Sequence, residues 1–532
     1  MNSSIVSVAF CAVVTWASAR AGGSVEPFGV RPGAESVLIS QAARREVRAI
    51  QGDLNSPYED KRRRAVAKLA AVGGADAFEL VLGALGDEGA EPADEAQLVL
   101  PGFEVSLGTS RVLKAMLGRE GLRSKDALVR LRAAEALGRL KGPVPGKAII
   151  RFIDRRDEEV ARAILWSLER LAEASRLDGD AAECLGSLEG YLGRNVPDGV
   201  RAAALQAMVR IDAKVLVEQR AALAKISGGE SKVSLLQAQV LVGLEAAETE
   251  PARGEVRAAL EHREASVRAA AIRLVGRMEP HREDVAALAN RLEVEPRAAL
   301  RAQTVMTLQR LTGKKHRAHA AAWTHSVNAL PEDWVGRWMA TAEEAATGGG
   351  EAVSAASLER LDPASDRLAV LVDFSGSLWN EREDGSCRKD LLDPEMDRLL
   401  DRITPGSRFY LIPFTGQPHP YSDASVKATS RELKSAKRFF RKATMRGQGN
   451  LFDAVGVALG DPDVDRVLIL TDGAPTGGDR WNVDLMGDLL LEATRFRPVI
   501  FDFVLLDAPR RLQRSWASVA ERSGGRTLSL SM

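Results

Sequence analysis

The chain changes rhythm about two-thirds of the way along. From about residue 35 to 325, apolar positions recur at helical spacing in a background rich in Ala, Leu, Arg and Glu. Beyond residue 366 they gather into short unbroken runs separated by amphipathic stretches. The first pattern predicts amphipathic helices, and the second predicts buried strands alternating with helices.

A phrase recurs in the helical part. It runs from Asp126 to Gly138, Asp157 to Leu168, Asp198 to Met208 and Glu264 to Val275, with weaker copies starting near Asp60, Lys232 and Ala299. Val129, Val160, Val200, Val233 and Val267 mark its register, spaced between 31 and 40 residues apart. That period predicts stacked helical hairpins. The acidic opening residue suits the positive end of a helix dipole. The Val, Ala and Leu stripe is more than one hairpin can bury, so the copies must stack. The segment 86–110, with Pro92, Pro101 and several Gly, breaks the pattern and is expected to be an inserted loop. The phrase resembles the short form of the HEAT repeat. That resemblance implies an N-terminal all-α solenoid over residues 35–325, with an extended concave surface.

Residues 326–365 read as a linker. Pro331 to Trp334 predicts the start of a closing helix that includes Trp338, and Gly348-Gly349-Gly350 and Pro363 break the chain after it. Beyond the linker, strands are predicted at 367–373, 407–414, 466–471, 499–506 and 526–531. Helices are predicted at 390–403, 429–443, 450–460, 483–496 and 511–523. Alternation of this kind implies a doubly wound, Rossmann-like α/β sheet over residues 366–532.

Composition changes this picture little. The 532 residues are more than one ordinary domain needs, at roughly 150 residues each. Lys+Arg and Asp+Glu are equal at 73 each, and residues 360–532 hold 25 of each sign. Neither part carries the positive excess of a general nucleic-acid binder. The N-terminus adds one feature: an apolar stretch from Ile5 to Trp16, then Ala17-Ser18-Ala19. That stretch is too short for a membrane span, which needs about 20 residues. With its small-residue cleavage signature it predicts a signal peptide over residues 1–21 and an exported protein, periplasmic or secreted, although no Lys or Arg precedes it. Beyond that region only Cys184 and Cys387 are present, which excludes a disulfide framework.

Candidate chemistry gathers at the ends of two predicted strands. Asp373-Phe374-Ser375-Gly376-Ser377 follows the apolar run Leu368 to Val372, and Thr471-Asp472-Gly473 follows Val467 to Leu470. Ligands of open parallel sheets bind outside such strand ends. Hydroxyls and carboxylates are hard oxygen donors suited to Mg²⁺. Elsewhere the signals are weaker. The helix within Lys427–Arg446 is strongly basic and reads as a packed helix with solvated charges. His316, His319 and His325 lack acidic or Cys partners at matching spacing and read as surface residues. No nucleophile elbow, P-loop or paired-carboxylate signature is present, and no His accompanies Ser375, so a non-enzymatic protein is expected.

Together with Gly447-Gln448-Gly449-Asn450-Leu451-Phe452-Asp453-Ala454, these two motifs are similar to the three loops of a von Willebrand factor A domain and its metal-ion-dependent adhesion site. The resemblance implies that Ser375 and Ser377 ligate a divalent cation directly, that Asp373 and Asp472 act through waters or hydrogen bonds, and that Asn450 belongs to the metal site as a candidate, with Gln448, a backbone carbonyl or a water, for the remaining ligand position. An open position would accept a partner's Asp or Glu. The family's usual Thr is Gly449 here, so Mg²⁺ or another divalent cation is expected to bind weakly. The function implied is metal-dependent protein interaction carried on a helical-repeat scaffold, with protein partners rather than nucleic acid and no stable membrane span. Two alternatives stand beside it. HEAT-like repeats before a von Willebrand A domain also describe the Ro-type RNA-binding proteins, and the same domain serves as an assembly or chaperone subunit.

Overall fold

The computed structural model describes residues 34–212, 215, 250–336, 353–355, 365–381 and 385–530, except 180, 194 and 498. The expected signal peptide, the repeat copy near Lys232 and most of the linker, with Trp338, lie outside the described residues.

The repeated phrases form helices that pack in series. Ala127–Leu137, Glu158–Glu173 and Asp198–Ile211 lie side by side, as do Glu250–Leu260, Ala265–Arg277 and Ala298–Thr312. Their Val, Ala and Leu stripes are buried in one continuous apolar core. The acidic opener is a true N-cap in two copies. Asp126 accepts from the backbone N–H groups of Leu128 (2.8 Å) and Val129 (3.3 Å), and Asp157 accepts from that of Val160 (3.4 Å). Arginines then stitch neighbours together. Arg62, Arg130 and Arg268 each donate to a backbone carbonyl six residues earlier, at Ser56, Ser124 and His262. The same guanidiniums pair with Asp87, Asp157 and Glu295 of the following unit at 2.7–2.8 Å.

The segment 86–110 is not the loop that was expected. It forms helix Ala90–Val99, a 3-10 turn at Leu100–Phe103, and helices Glu104–Leu107 and Thr109–Met116. Pro92 falls in the first helical turn, where its missing N–H has no intrahelical acceptor to lose. Ala93, Ala96 and Leu100 are buried. Here the packing outweighs residues that read as turn signals.

The C-terminal part is an α/β domain. Its strands are β1 (Val353–Ala355), β2 (Arg367–Asp373), β3 (Arg408–Phe414), β4 (Val426–Lys427), β5 (Arg466–Thr471), β6 (Ile500–Leu506) and β7 (Thr527–Leu530). They form one sheet in the order β1-β7-β6-β5-β2-β3-β4, parallel throughout except for the edge strand β4. Side chains alternate between two buried faces. Leu368, Val370 and Val372 pack under helices Arg388–Asp401 and Ser430–Lys442. Ala369 and Leu371 pack under Leu451–Gly460, Val483–Thr494 and Arg510–Ser523. A sheet covered on both faces explains the unbroken apolar runs of the sequence. The order reverses direction between β2 and β5, so the crevice outside their C-terminal ends is the topological switch point.

The α/β domain is seated against the helical array. Asp94, Arg132, Glu135 and Arg480 form a buried polar cluster with Gln97, each no more than 3% exposed. Arg480 donates to Gln97 Oε1 and Glu135 Oε1, both at 2.9 Å. Asp94 accepts the backbone N–H groups of Trp481 (2.7 Å) and Asn482 (2.8 Å), just before helix Val483–Thr494. Arg132 donates to the carbonyl of Asp479 (2.6 Å). Burial pushes the Asp94 and Glu135 carboxyls up, against the attraction of Arg480. Farther along, Arg139 pairs with Asp488 (3.4 Å) and Arg162 with Glu492 (3.3 Å), while Phe496 enters the core of the helical array.

Candidate functional site

The switch point brings the first and third motifs together. Asp373 ends β2, and Thr471 ends β5 beside it. The Asp373 carboxylate accepts the Thr471 hydroxyl at 2.8 Å and the Ser375 backbone N–H at 2.9 Å. Ser375 Oγ lies 3.3 Å from Ser377 Oγ. Residues Gly376–Trp379 then make a 3-10 turn that leaves Ser377 just past the strand end. Asp373 is 5% exposed and its carboxyl is pushed up to about 6. Burial is the largest cause. The negative charge of Asp472 adds to it, and the hydrogen bonds from Ser375 and Thr471 oppose it. Asp472 itself accepts the N–H of Ala474 at 3.2 Å.

The middle loop closes over this pair. The carbonyl of Gly447 accepts the N–H of Gly376 at 3.1 Å. Gly449 faces Asp373 directly, since a Cβ on it would stand 3.1 Å from both carboxylate oxygens. Asn450, expected as a metal-site residue, has its side chain engaged otherwise. Its side-chain oxygen caps helix Leu451–Gly460 at Asp453 N–H (3.3 Å), and its amide donates to Gly416 O (3.2 Å) and Asp453 Oδ2 (2.7 Å). The asparagine therefore shapes the loop.

Sequence reasoning missed the residues that hold the third loop in place. Thr476 exchanges two hydrogen bonds with Gly449: its hydroxyl accepts the Gly449 N–H at 2.7 Å, and its own N–H donates to the Gly449 carbonyl at 3.1 Å. Gly478 has φ +84°, and a Cβ there would fall 2.1 Å from Asn450 Oδ1, so only glycine fits. The adjacent pair Gly477-Gly478 after Thr471-Asp472-Gly473 was the available signal for this close approach. Trp516 supports the loop from below, donating from its indole to the carbonyl of Gly473 at 3.0 Å. Six residues past Gly473, the same loop enters the buried cluster with Asp94 and Glu135.

The oxygen-rich character of the site is what a hard cation needs. Two hydroxyls gather beside a buried carboxylate that feels the charge of Asp472, and a cation would relieve the repulsion between Asp373 and Asp472. Among the described residues, no group of three His, Cys, Asp or Glu side chains is placed to hold a metal, so binding here would depend on the serines.

The weaker candidates have structural roles. His316 Nε2 lies 2.7 Å from Ser326 Oγ, and its ring packs edge-on to Trp323. Helix Ser430–Lys442 buries Ala436 and Phe440. On its charged side Lys437 pairs with Asp401 (2.6 Å) and Arg441 with Asp397. No disulfide joins Cys184 and Cys387. No helix among the described residues is long and apolar enough to cross a membrane.

No family model matches the chain. It is 26% identical over 133 residues to the inter-alpha-trypsin inhibitor heavy chain H2 of Mus musculus, a match covering 23% of this chain and 13% of the relative. Heavy chain 4 of the same organism is also 26% identical over 133 residues, with 14% of its length covered. The match thus spans about an eighth of the length of these relatives. The heavy chains contain von Willebrand A domains, and the similarity suggests a domain of that kind here. Among solved structures, BatB from Bacteroides thetaiotaomicron resembles 31% of the chain over 89% of its own length, at 12% identity and TM-score 0.23. The Deinococcus radiodurans RO (RSR) protein spans 90% of this chain and 88% of its own, at 13% identity and TM-score 0.20. At such scores these likenesses carry no functional weight.

Proposed function

We propose that this chain is a non-enzymatic, exported interaction protein whose von Willebrand A-type domain binds a divalent cation and presents it to a carboxylate-bearing protein partner. The observation that carries this reading is the convergence of Ser375 Oγ and Ser377 Oγ, 3.3 Å apart, beside the buried Asp373 at the switch point. In this reading Ser375 and Ser377 would ligate the cation directly. Asp373 and Asp472 would compensate its charge, and Asn450 would keep the middle loop in register. Mg²⁺ retains waters readily, so an incomplete protein shell leaves a position for an Asp or Glu of the partner. The helical array would be a solenoid of the HEAT type, offering a second surface. The apolar stretch Ile5 to Trp16 supports export.

Calorimetric titration of the full chain with Mg²⁺ tests the proposal. Saturable heat is expected from the wild type, and its loss from Asp373→Ala. A wild type that takes up no Mg²⁺ or Mn²⁺ would sink the metal-dependent reading.

A further inference from the structure

Helix Ser430–Lys442 and the loop after it are strongly basic. Residues 427–446 hold eight Lys or Arg and a single acid, Glu432. The helix sorts these charges by face. Leu433, Ala436 and Phe440 pack against the core of the domain. On one flank Lys437 (2.6 Å) and Arg441 pair with Asp401 and Asp397 of helix Arg388–Asp401. Arg431, Lys434, Arg438 and Lys442 stand at positions i, i+3, i+7 and i+11. They share the face opposite the buried one, and all four are exposed.

A solvated face in a chain with equal numbers of both signs should interleave them. This face carries one sign alone. Lys434 and Arg438, and again Arg438 and Lys442, are like charges four residues apart, an arrangement that weakens a helix. The helix dipole favours Lys442 in the last turn but opposes Arg431 in the first. Helix stability therefore does not explain the stripe.

The stripe runs on to the candidate cation site. Arg446 follows the helix by four residues and is exposed, with its guanidinium 4.6 Å from the centre of the Trp379 ring. Its neighbours are tied to the turn that carries Ser377. The Met445 carbonyl accepts the Trp379 indole N–H at 3.1 Å, and the Gly447 carbonyl accepts the Gly376 N–H at 3.1 Å. Stacking on Trp379 thus holds a positive charge beside the serine pair. A divalent cation there would add more, so a ligand with several negative charges is favoured over one with a single carboxylate.

We propose that the stripe from Arg431 to Arg446 docks an acidic segment of a protein partner, one of whose carboxylates reaches the cation at Ser375 and Ser377. The helix has 13 residues and is about 20 Å long, a length that an extended peptide covers in about six residues. Cationic groups spaced along it match a row of side-chain carboxylates. An anionic membrane surface fits less well, because Ala436 and Phe440 are buried and the helix has no apolar face to insert. The contact at the serines rests on the cation binding proposed above; the basic face does not.

The test measures binding of a fluorescent octaglutamate peptide to the full chain by anisotropy, in Mg²⁺ and in EDTA at matched ionic strength. Saturable binding is expected in both, and tighter in Mg²⁺. Lys434→Glu together with Arg438→Glu should weaken it about tenfold in either buffer, with the far-UV circular dichroism unchanged. Arg45→Glu together with Arg48→Glu makes the same charge change at exposed positions of helix Ala34–Gln51 and should leave the affinity as it is. Should the first double variant fail to fold, Arg446→Gln alone should still weaken binding several-fold. Equal affinity in Mg²⁺ and EDTA, with the effect of the Lys434 and Arg438 substitutions retained, would count against the cation reading and for the basic surface. The proposal is overturned by any of four results: no saturable binding, unchanged affinity in the folded stripe variants, equal weakening by the Arg45 and Arg48 substitutions, or tighter binding to phosphatidylserine vesicles than to the peptide.

Discussion

Arg480 Nη2 lies 2.9 Å from Glu135 Oε1, although 345 residues separate the two in the chain. Both are almost wholly buried, and Gln97 bridges them, accepting from Arg480 at 2.9 Å and donating to Glu135 at 2.6 Å. Such a cluster holds only while every member is present, because losing one leaves an uncompensated charge in the interior. Arg480→Ala is therefore expected to destabilise the protein by about 3–5 kcal/mol in chemical denaturation. Arg480→Lys keeps the charge but loses the planar fork, and should fall between the wild type and the alanine variant. An alanine variant that unfolds at the wild-type denaturant midpoint would show that the cluster contributes nothing to the docking.

Because the loop from Gly473 to Asn482 touches both the candidate cation site and this cluster, Thr476 is a second place to probe. Thr476→Val removes the acceptor of the Gly449 N–H while keeping the volume. It should cost about 1 kcal/mol of stability and weaken Mg²⁺ uptake. If stability falls but Mg²⁺ titrates as before, the loop's position does not matter to the cation.

Gly449 gives a test with opposite signs in two measurements. A Cβ at this position would press on both Asp373 oxygens at 3.1 Å, so Gly449→Thr should lower Tm in EDTA. The new hydroxyl would also stand beside the serine pair, so the same variant should bind Mg²⁺ more tightly. Unchanged affinity would mean that another oxygen already fills that part of the shell.

These residues also show what the sequence made legible. The five long strands and their helices lie within two residues of the predicted bounds. Their runs are apolar on both faces and carry sharp turn signals. The edge strands β1 and β4 were missed because two or three residues carry no period. Asp373, Ser375, Ser377 and Asp472 were legible because each follows an apolar strand in a recognisable motif. Asp94, Glu135 and Thr476 were not. Asp94 sits in a segment whose prolines and glycines read as a loop, and Glu135 sits inside the repeated phrase that runs from Asp126 to Gly138. Each acquires its meaning only from a partner on a distant part of the chain.

Asp465 offers a pH-dependent test away from the cation site. It lies just before β5, accepts the Ser365 hydroxyl at 2.7 Å and stands 3.7 Å from Arg297 of the helical array. Its carboxyl is pushed up to about 6, chiefly by burial, with the neighbouring charge of Asp366 adding and Ser365 and Arg297 opposing. In the unfolded chain it should titrate near the ordinary value of about 3.9. The folded state therefore holds this proton more tightly. Its contribution to stability is complete below about pH 4 and is lost as pH rises through about 6. Asp465→Asn keeps an acceptor for Ser365 and cannot ionise. Its Tm relative to wild type should climb between pH 4.5 and pH 7, measured by differential scanning calorimetry in buffers of equal ionic strength. A flat difference across that range would show that Asp465 ionises in the folded protein as readily as in the unfolded chain.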